Sequence, residues 1–298
     1  MSRVAVLMGG YSSEREVSLA SGQECADGLR RVGYEVIEID VDRSLILRLH
    51  EEKPDICFNA LHGLFGEGGS VQGILNILGI PYTHSGVLAS ALAMNKPMAK
   101  IVARSVGLRC ANGKVVTKEE YSRNVKNTPY VIKPIDDGSS INTYVVRDNG
   151  DLPFSGGGWP FSGCALIEDF IPGIELTVTV LDGVPLAVTE IRAPLGIYDY
   201  NAKYKGGSHY ITPATIPDSV ADQCRSYAKT MHDAIGARGI SRSDFIYNPE
   251  LGECGLYFLE INTHPGMTKL SHAPGQAKYT GMTFEDLVKK LVEISCTD

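Results

Sequence analysis

Arg242, Asp244, Glu260 and Asn262 are the residues of this chain whose types and spacing best fit a reaction centre. They lie on two apolar runs, Arg242-Ser243-Asp244-Phe245-Ile246-Tyr247 and Leu256-Tyr257-Phe258-Leu259-Glu260-Ile261-Asn262. A turn at Asn248-Pro249-Glu250-Leu251-Gly252 separates the runs. That pattern reads as a β-hairpin. Side chains alternate along a strand, so Arg242 and Asp244 share one face, as do Glu260 and Asn262. If the two faces coincide, two carboxylates, a side-chain amide and a guanidinium converge. Hard oxygen donors suit Mg²⁺, which one or two carboxylates commonly hold together with substrate phosphates. The guanidinium suits a developing anion. Thr263-His264-Pro265-Gly266-Met267-Thr268 follows as a turn whose backbone amides can face a ligand. Alternation alone fits a surface hairpin with scattered charges equally well.

Other candidates stand upstream. Thr128–Pro134 reads as a strand with Lys133 among apolar residues. A Lys is almost never fully buried unless paired, and a nucleotide phosphate is a suitable partner. The small-residue loop from Ile135 to Asn142 fits either a phosphate cover or a plain β-turn. Leu61–Gly69 is a Gly-rich loop carrying His62 at the end of a strand, where open α/β sheets bind ligands. Glu14 stands at a helix start, a position that also fits a solvated carboxylate favouring the helix dipole. Tyr198–Gly207 mixes tyrosines and lysines with glycines, as a closing loop or an exposed linker would.

The elements that must hold these residues follow from periodicity. Residues 3–8, 35–40 and 55–60 read as strands. An amphipathic helix to about Val32 follows the first, with capping-box spacing at Ser13 and Glu16. That rhythm implies a parallel sheet. A dinucleotide-binding Gly-x-Gly-x-x-Gly is missing, because Tyr11-Ser12-Ser13 follows Gly10. Val87–Met94 and Pro217–Ile235 read as helices, and so does Thr283–Ile294. Strands run through Ala165–Ile171 and from Gly173 to Val180. Ser155–Pro160 reads as a surface loop without chemistry.

The chain has 298 residues, 43% of them hydrophobic, enough for two or three domains. A net charge of −7 leaves no basic footprint for nucleic acid. No run reaches the ~18 apolar residues of a membrane span. The start lacks a signal-peptide pattern, and the seven Cys are dispersed without a Cys-x-x-Cys pair. Both features fit a cytoplasmic protein with reduced thiols.

Arg-x-Asp-Phe at 242–245 followed by Glu260-Ile261-Asn262-Thr263-His264-Pro265-Gly266-Met267-Thr268 resembles the metal-binding end of the D-alanine–D-alanine ligases, in the ATP-grasp superfamily. Gly9-Gly10…Ser13-Glu14-Arg15-Glu16, His62-Gly63-x-x-Gly66-Glu67, Lys133-Pro134-x-x-x-Gly138-Ser139-Ser140 and Tyr198-Asp199-Tyr200-x-Ala202-Lys203-Tyr204 resemble further signatures of that family, in its order. The likeness runs from Val4 to about Val292. It implies an α/β protein: a Rossmann-like amino-terminal domain (1–95), then a two-lobed α+β ATP-grasp (96–175 and 176–298). It implies ATP-dependent ligation of two D-alanines through an acyl phosphate, for peptidoglycan precursors. ATP and Mg²⁺ (or Mn²⁺) would be required, and the protein would be a homodimer.

The resemblance also assigns residues. Asp244, Glu260 and Asn262 would hold the metal. Lys96, Lys133 and Ser140 would meet the phosphates, and Glu168, Phe170, Ile171 and Glu175 the adenosine. Glu14 and His62 belong to the first D-alanine, Lys203 and Ser271 to the second. Arg242 and the Gly266 N–H would stabilise the oxyanion, while Glu14, Ser139 and Tyr204 would link the three domains. The chain departs from the family at Gly68 and Asn95, each in place of Asp, and at Asn142, in place of Gly. Gly68 would loosen its loop, Asn95 would still cap a helix, and Asn142 would tolerate positive φ. Those departures keep two other readings open: a different ATP-grasp carboxylate–amine ligase, or a nucleotide-binding homologue impaired in catalysis.

Overall fold

The structure is a computed structural model describing residues 2–123, 127–138, 141–148, 154, 158–192 and 209–298. The first part runs β1 (Arg3–Gly9), α1 (Arg15–Arg31), β2 (Glu35–Val41), α2 (Leu45–Glu52), β3 (Ile56–Asn59), α3 (Gly63–Glu67), α4 (Ser70–Leu78) and α5 (Val87–Met94). Its strands form a parallel sheet in the order β2-β1-β3. Val4 to Leu7 have no exposure at all, as a continuous apolar strand covered on both faces requires.

Next come α6 (Lys96–Ser105), β4 (Gly113–Thr117), α7 (Lys118–Arg123), β5 (Tyr130–Pro134), β6 (Tyr144–Val146) and β7 (Cys164–Asp169). The four strands make an antiparallel sheet, β4-β7-β5-β6. Tyr130, Ile132 and Ile167 form its core with Tyr121 and Phe161. Trp159, expected in a surface loop, packs edge-on against Phe161 at 4.8 Å. An indole brings enough apolar area to draw its segment onto the core.

The third part contains β8 (Ile174–Leu181), β9 (Val184–Arg192), β10 (His209–Ile211), α8 (Asp218–Ala234), β11 (Ile240–Tyr247), β12 (Leu256–Asn262), α9 (His272–Tyr279) and α10 (Phe284–Glu293). Its sheet is antiparallel in the order β10-β9-β8-β11-β12. Val220, Cys224, Ala228 and Met231 recur at helical spacing along α8 and pack on Val178, Phe245 and Phe258. Ala99 and Ala103 of α6 join this same core. The division expected at 95/96 thus falls at the start of a helix packed on the third sheet, and that at 175/176 falls inside β8. A second core joins Val4, Val6 and Leu29 to Ile240, Leu287 and Leu291, so the first and third parts share an interior.

Three local expectations need correction. The capping box at Ser13 and Glu16 does not form. Glu14 occupies the N-cap of α1, and Ser12 Oγ accepts from the Glu14 N–H at 3.1 Å. The Glu14 side chain is instead buried toward the interior. Gly68 does not loosen its loop, since it closes α3 with its N–H on the Leu64 carbonyl. A Cβ there would lie 2.3 Å from that same oxygen, so this backbone admits only glycine. The hairpin connection is a 3₁₀ helix, Pro249–Gly255, started by Asn248 Oδ1 accepting from the Glu250 N–H. Among the described residues, no helix is long and apolar enough to cross a membrane.

Candidate active site

β11 and β12 bring the opening candidates together. Arg242 pairs with Asn262 and Asp244 with Glu260, directly across the ladder and on one face. The register shifts between Asp244 and Phe245, just past the last of these pairs. Arg242 holds Asp244 through two bonds, Nε to Oδ1 at 2.9 Å and Nη2 to Oδ2 at 2.7 Å. Thr177 of β8 donates to Asp244 Oδ1 at 2.6 Å. Asn262 Oδ1 accepts from the His264 N–H at 2.6 Å, which fixes the amide. Lys96 Nζ lies 3.6 Å from Glu260 and donates to the Asp137 carbonyl at 2.5 Å. Among the described residues, no three His, Cys, Asp or Glu gather as a metal site. The donor set here is two carboxylates and an amide, a combination that suits a hard cation shared with phosphates.

A cleft opens on one side of this pair, between the second and third sheets. Lys96, Lys133, Glu168, Phe170, Ile171 and Glu175 all line it, together with Asp244 and Glu260. Asn95 starts α6 as its cap, its Oδ1 accepting from the Met98 N–H at 3.1 Å, and so aims Lys96 inward. Arg147 lies over the Phe170 ring at 5.1 Å. Glu168 meets two lysines, Lys133 at 2.8 Å and Lys100 at 2.6 Å. Burial opposes its ionisation, yet Lys133 and Lys100 hold its carboxyl down at about 2. Burial also works against the charge on Lys133, but Glu168, Glu260 and Glu175 raise its pKa overall.

A second cleft lies on the other side, lined by Glu14, His62, Glu67, Arg242, Gly266 and Ser271 among others. Gly138 of the central lobe lies against this carboxylate: a Cβ there would come 2.8 Å from Glu14 Oε2 unless the Glu14 side chain shifted. His62 Nδ1 and the Gly63 N–H both meet Glu67 Oε1, at 3.1 and 3.0 Å. Burial lowers the His62 pKa, but the Glu67 hydrogen bond and the Glu67 and Glu14 charges raise it on balance. Ser271 Oγ accepts from the Thr268 N–H at 3.1 Å. Tyr210 stands edge-on to His272 at 4.5 Å, at the rim of this cleft.

Behind both clefts lies a buried polar layer. His264 Nε2 is 3.1 Å from Asn59 Nδ2 and 3.2 Å from Gln72 Nε2, and both amides also donate to the Gly66 carbonyl. Asn59 Oδ1 accepts from the Leu61 N–H, which fixes the amide so that Nδ2 donates. His264 Nε2 therefore accepts, and its proton sits on Nδ1, 3.1 Å from Thr263 Oγ1. His84 stacks on it at 4.7 Å. Burial keeps both neutral, lowering His84 to about 3 and His264 well below the ordinary value. This layer ties the loop that carries His62 to the loop that follows Asn262.

Ser139, Ser140, Lys203 and Tyr204 lie outside the described residues. Asn142 has φ +54°, as the turn was expected to require. Sequence reasoning missed Glu67, Lys100, Thr177 and Gln72. Glu67 was visible five residues after His62 and three before an apolar helix. The others meet their partners across 67 residues or more in the case of Thr177 and Lys100, which no local pattern reports.

Residues 102–293 match a family model described as the D-ala D-ala ligase C-terminus. The chain is 48% identical to a D-alanine–D-alanine ligase of Ruegeria sp., over 98% of this chain and 95% of that one. It is also 48% identical to a D-alanine–D-alanine ligase of Agrobacterium fabrum, over 97% of this chain and 96% of that one. A crystal structure of the D-alanine–D-alanine ligase from Bacillus anthracis complexed with ATP superposes with a TM-score of 0.81 at 27% identity, covering 98% of this chain and 97% of the other.

Proposed function

The chain belongs to the D-alanine–D-alanine ligase family, has the ATP-grasp fold and joins two D-alanines at the expense of ATP, and we propose that its two clefts divide that reaction between them. The observation that carries this reading is the register of β11 and β12. It sets Asp244 opposite Glu260 and Arg242 opposite Asn262 where the clefts meet. In the first cleft ATP lies with its adenine by Glu168, Phe170 and Ile171 and its ribose on Glu175. Lys96, Lys133 and Ser140 face the phosphates. In the second, Glu14 and His62 hold the first D-alanine, and Lys203 and Ser271 receive the carboxylate of the second. Glu14, Ser139 and Tyr204 tie the domains across the filled site.

A carboxylate is a poor electrophile, so it must be activated. A carboxylate oxygen of the first D-alanine attacks the γ-phosphorus of ATP, the bond to ADP breaks, and an acyl phosphate forms. Lys96 and Lys133 neutralise charge on the phosphates throughout. The amine of the second D-alanine then attacks the acyl carbon, the C–N bond forms, and inorganic phosphate leaves. Arg242 and the Gly266 N–H stabilise the tetrahedral oxyanion; one such donor is commonly worth ~10²–10³ in rate. Asp244, Glu260 and Asn262 fit Mg²⁺ or Mn²⁺, being oxygen donors gathered at neighbouring ladder positions. Such an ion supplies positive charge against the phosphate oxygens when bound. A cytoplasmic location and a homodimeric state belong to the same proposal.

The test uses D-alanine labelled with ¹⁸O in its carboxylate. Attack on the γ-phosphorus carries one labelled oxygen into the inorganic phosphate released. Unlabelled phosphate accompanying dipeptide formation would overturn the acyl-phosphate route.

A further inference from the structure

Thr177, Asp244 and Glu260 stand in one row across β8, β11 and β12, each directly opposite the next. Direct partners in an antiparallel pair share a face, so Thr177 flanks the Asp244 carboxylate on the side away from Glu260. The Thr177 side chain is fully buried, and its branched Cβ makes it stiff. An ionised carboxylate only accepts, so the Thr177 hydroxyl donates to Oδ1, at 2.6 Å. Arg242 Nε donates to the same oxygen at 2.9 Å. A carboxylate offers about four lone-pair sites, about two on each oxygen. Oδ1 is therefore filled. Among the described residues, Oδ2 receives one donor, Arg242 Nη2 at 2.7 Å, and keeps a lone pair. The hydroxyl is neutral, so it occupies Oδ1 without adding positive charge that would repel a cation.

The backbone holds Thr177 in place. The β8–β9 register shifts between Val178 and Val180. Gln276 of α9, itself fully buried, spans this irregularity. Its Nε2 donates to the Thr177 carbonyl at 3.1 Å, and its Oε1 accepts from the Thr179 N–H at 2.8 Å. Irregularities of this kind beside active sites re-aim a side chain, and here a helix pins the result.

We propose that Thr177 is a positioning residue for the divalent cation: by filling Oδ1 it fixes the plane of the Asp244 carboxylate and leaves Oδ2 as the ligating oxygen. The inference rests on the reading that Asp244 holds the cation. Without the hydroxyl, Arg242 alone orients the carboxylate, and Arg242 also lines the second cleft, where substrate draws on it. Asp244 then loses its fixed orientation and holds the cation less tightly. Contacts to the nucleotide elsewhere in the first cleft are unchanged.

The test follows Mn²⁺ binding to the full-length protein and its variants in the presence of ADP, by the EPR signal of free Mn²⁺, corrected for Mn²⁺ held by free ADP. Calorimetry measures ADP binding without metal, and thermal unfolding checks the fold. Thr177→Val replaces the hydroxyl by a methyl group. It is expected to weaken Mn²⁺ about 10- to 100-fold, the cost of losing an outer-shell partner of a metal ligand, and to leave metal-free ADP binding within about twofold. Thr177→Ser keeps the hydroxyl and should bind Mn²⁺ within about threefold of the parent. Thr177→Ala takes the place of the valine variant if that one does not fold. Parent-like Mn²⁺ affinity without the hydroxyl overturns the proposal. So do equal Mn²⁺ losses in the serine and valine variants, or a loss of metal-free ADP binding as large as that of Mn²⁺. Parent-like Mn²⁺ binding by Asp244→Asn would instead overturn the reading of Asp244 on which the inference rests.

Discussion

Replacing His84 by Asn should remove much of the acid sensitivity of this fold. His84 is buried, stacks on His264 at 4.7 Å and stands edge-on to Phe58 at 5.7 Å. Desolvation, helped by the nearby His62 charge, lowers its pKa from 6.5 to about 3. The unfolded chain takes up a proton below 6.5 that the native protein refuses. The stability held by neutral His84 is therefore complete above 6.5 and is lost as pH falls from there toward 3. Each pH unit in that window costs about 1.4 kcal/mol, so the loss at about pH 5 is about 2 kcal/mol. His264 titrates in the same direction and adds to it. Asn does not titrate and is at ease at the φ of +73° found here. Urea unfolding at about pH 8 and about pH 5 measures the difference. The parent should lose about 2 kcal/mol more than the variant between those values. Parallel losses in the two proteins would refute the argument.

Three further outcomes follow from the site. Asp244→Asn should keep the fold but lose most Mg²⁺-dependent turnover, about 10²-fold or more, and unchanged turnover at low Mg²⁺ would remove Asp244 from the metal set. Glu67→Gln takes from His62 the hydrogen bond and charge that raise its pKa. That pairing stabilises the fold in full below 6.5 and fades as pH rises through the higher native value. The stability deficit of the variant, read by urea unfolding, should therefore be larger on the acid side than on the alkaline side. Asn142→Gly should hold or tighten nucleotide binding, because φ +54° suits glycine; a large loss of ATP affinity would assign a role to the Asn side chain.

The site was legible where local pattern determines geometry. Strand alternation was enough to put Arg242 with Asp244 and Glu260 with Asn262 on shared faces, and the ladder register makes the two faces coincide. Asn95 as a helix cap and Asn142 at positive φ are likewise properties of a residue and its neighbours. Elements whose stability comes from distant packing were harder to read. Helix α6 belongs to the core of the third sheet because Ala99 and Ala103 meet it there, and nothing in 96–105 itself says so. The sharing of Glu168 by Lys100 and Lys133 requires a helix and two strands to arrive together. The stack of His84 on His264 joins residues 180 positions apart, so neither histidine revealed its partner. Ser13 and Glu16 misled for the opposite reason: a local capping pattern gave way to the burial of Glu14.

The central claim is that the two clefts around β11 and β12 perform one ligation, and product stoichiometry tests it most directly. With ATP, Mg²⁺ and D-alanine, the protein should release ADP and phosphate in equal amounts with D-alanyl-D-alanine, and Asp244→Asn should lower all three together. Phosphate release that does not depend on D-alanine, or ATP binding with no dipeptide formed, would contradict the account.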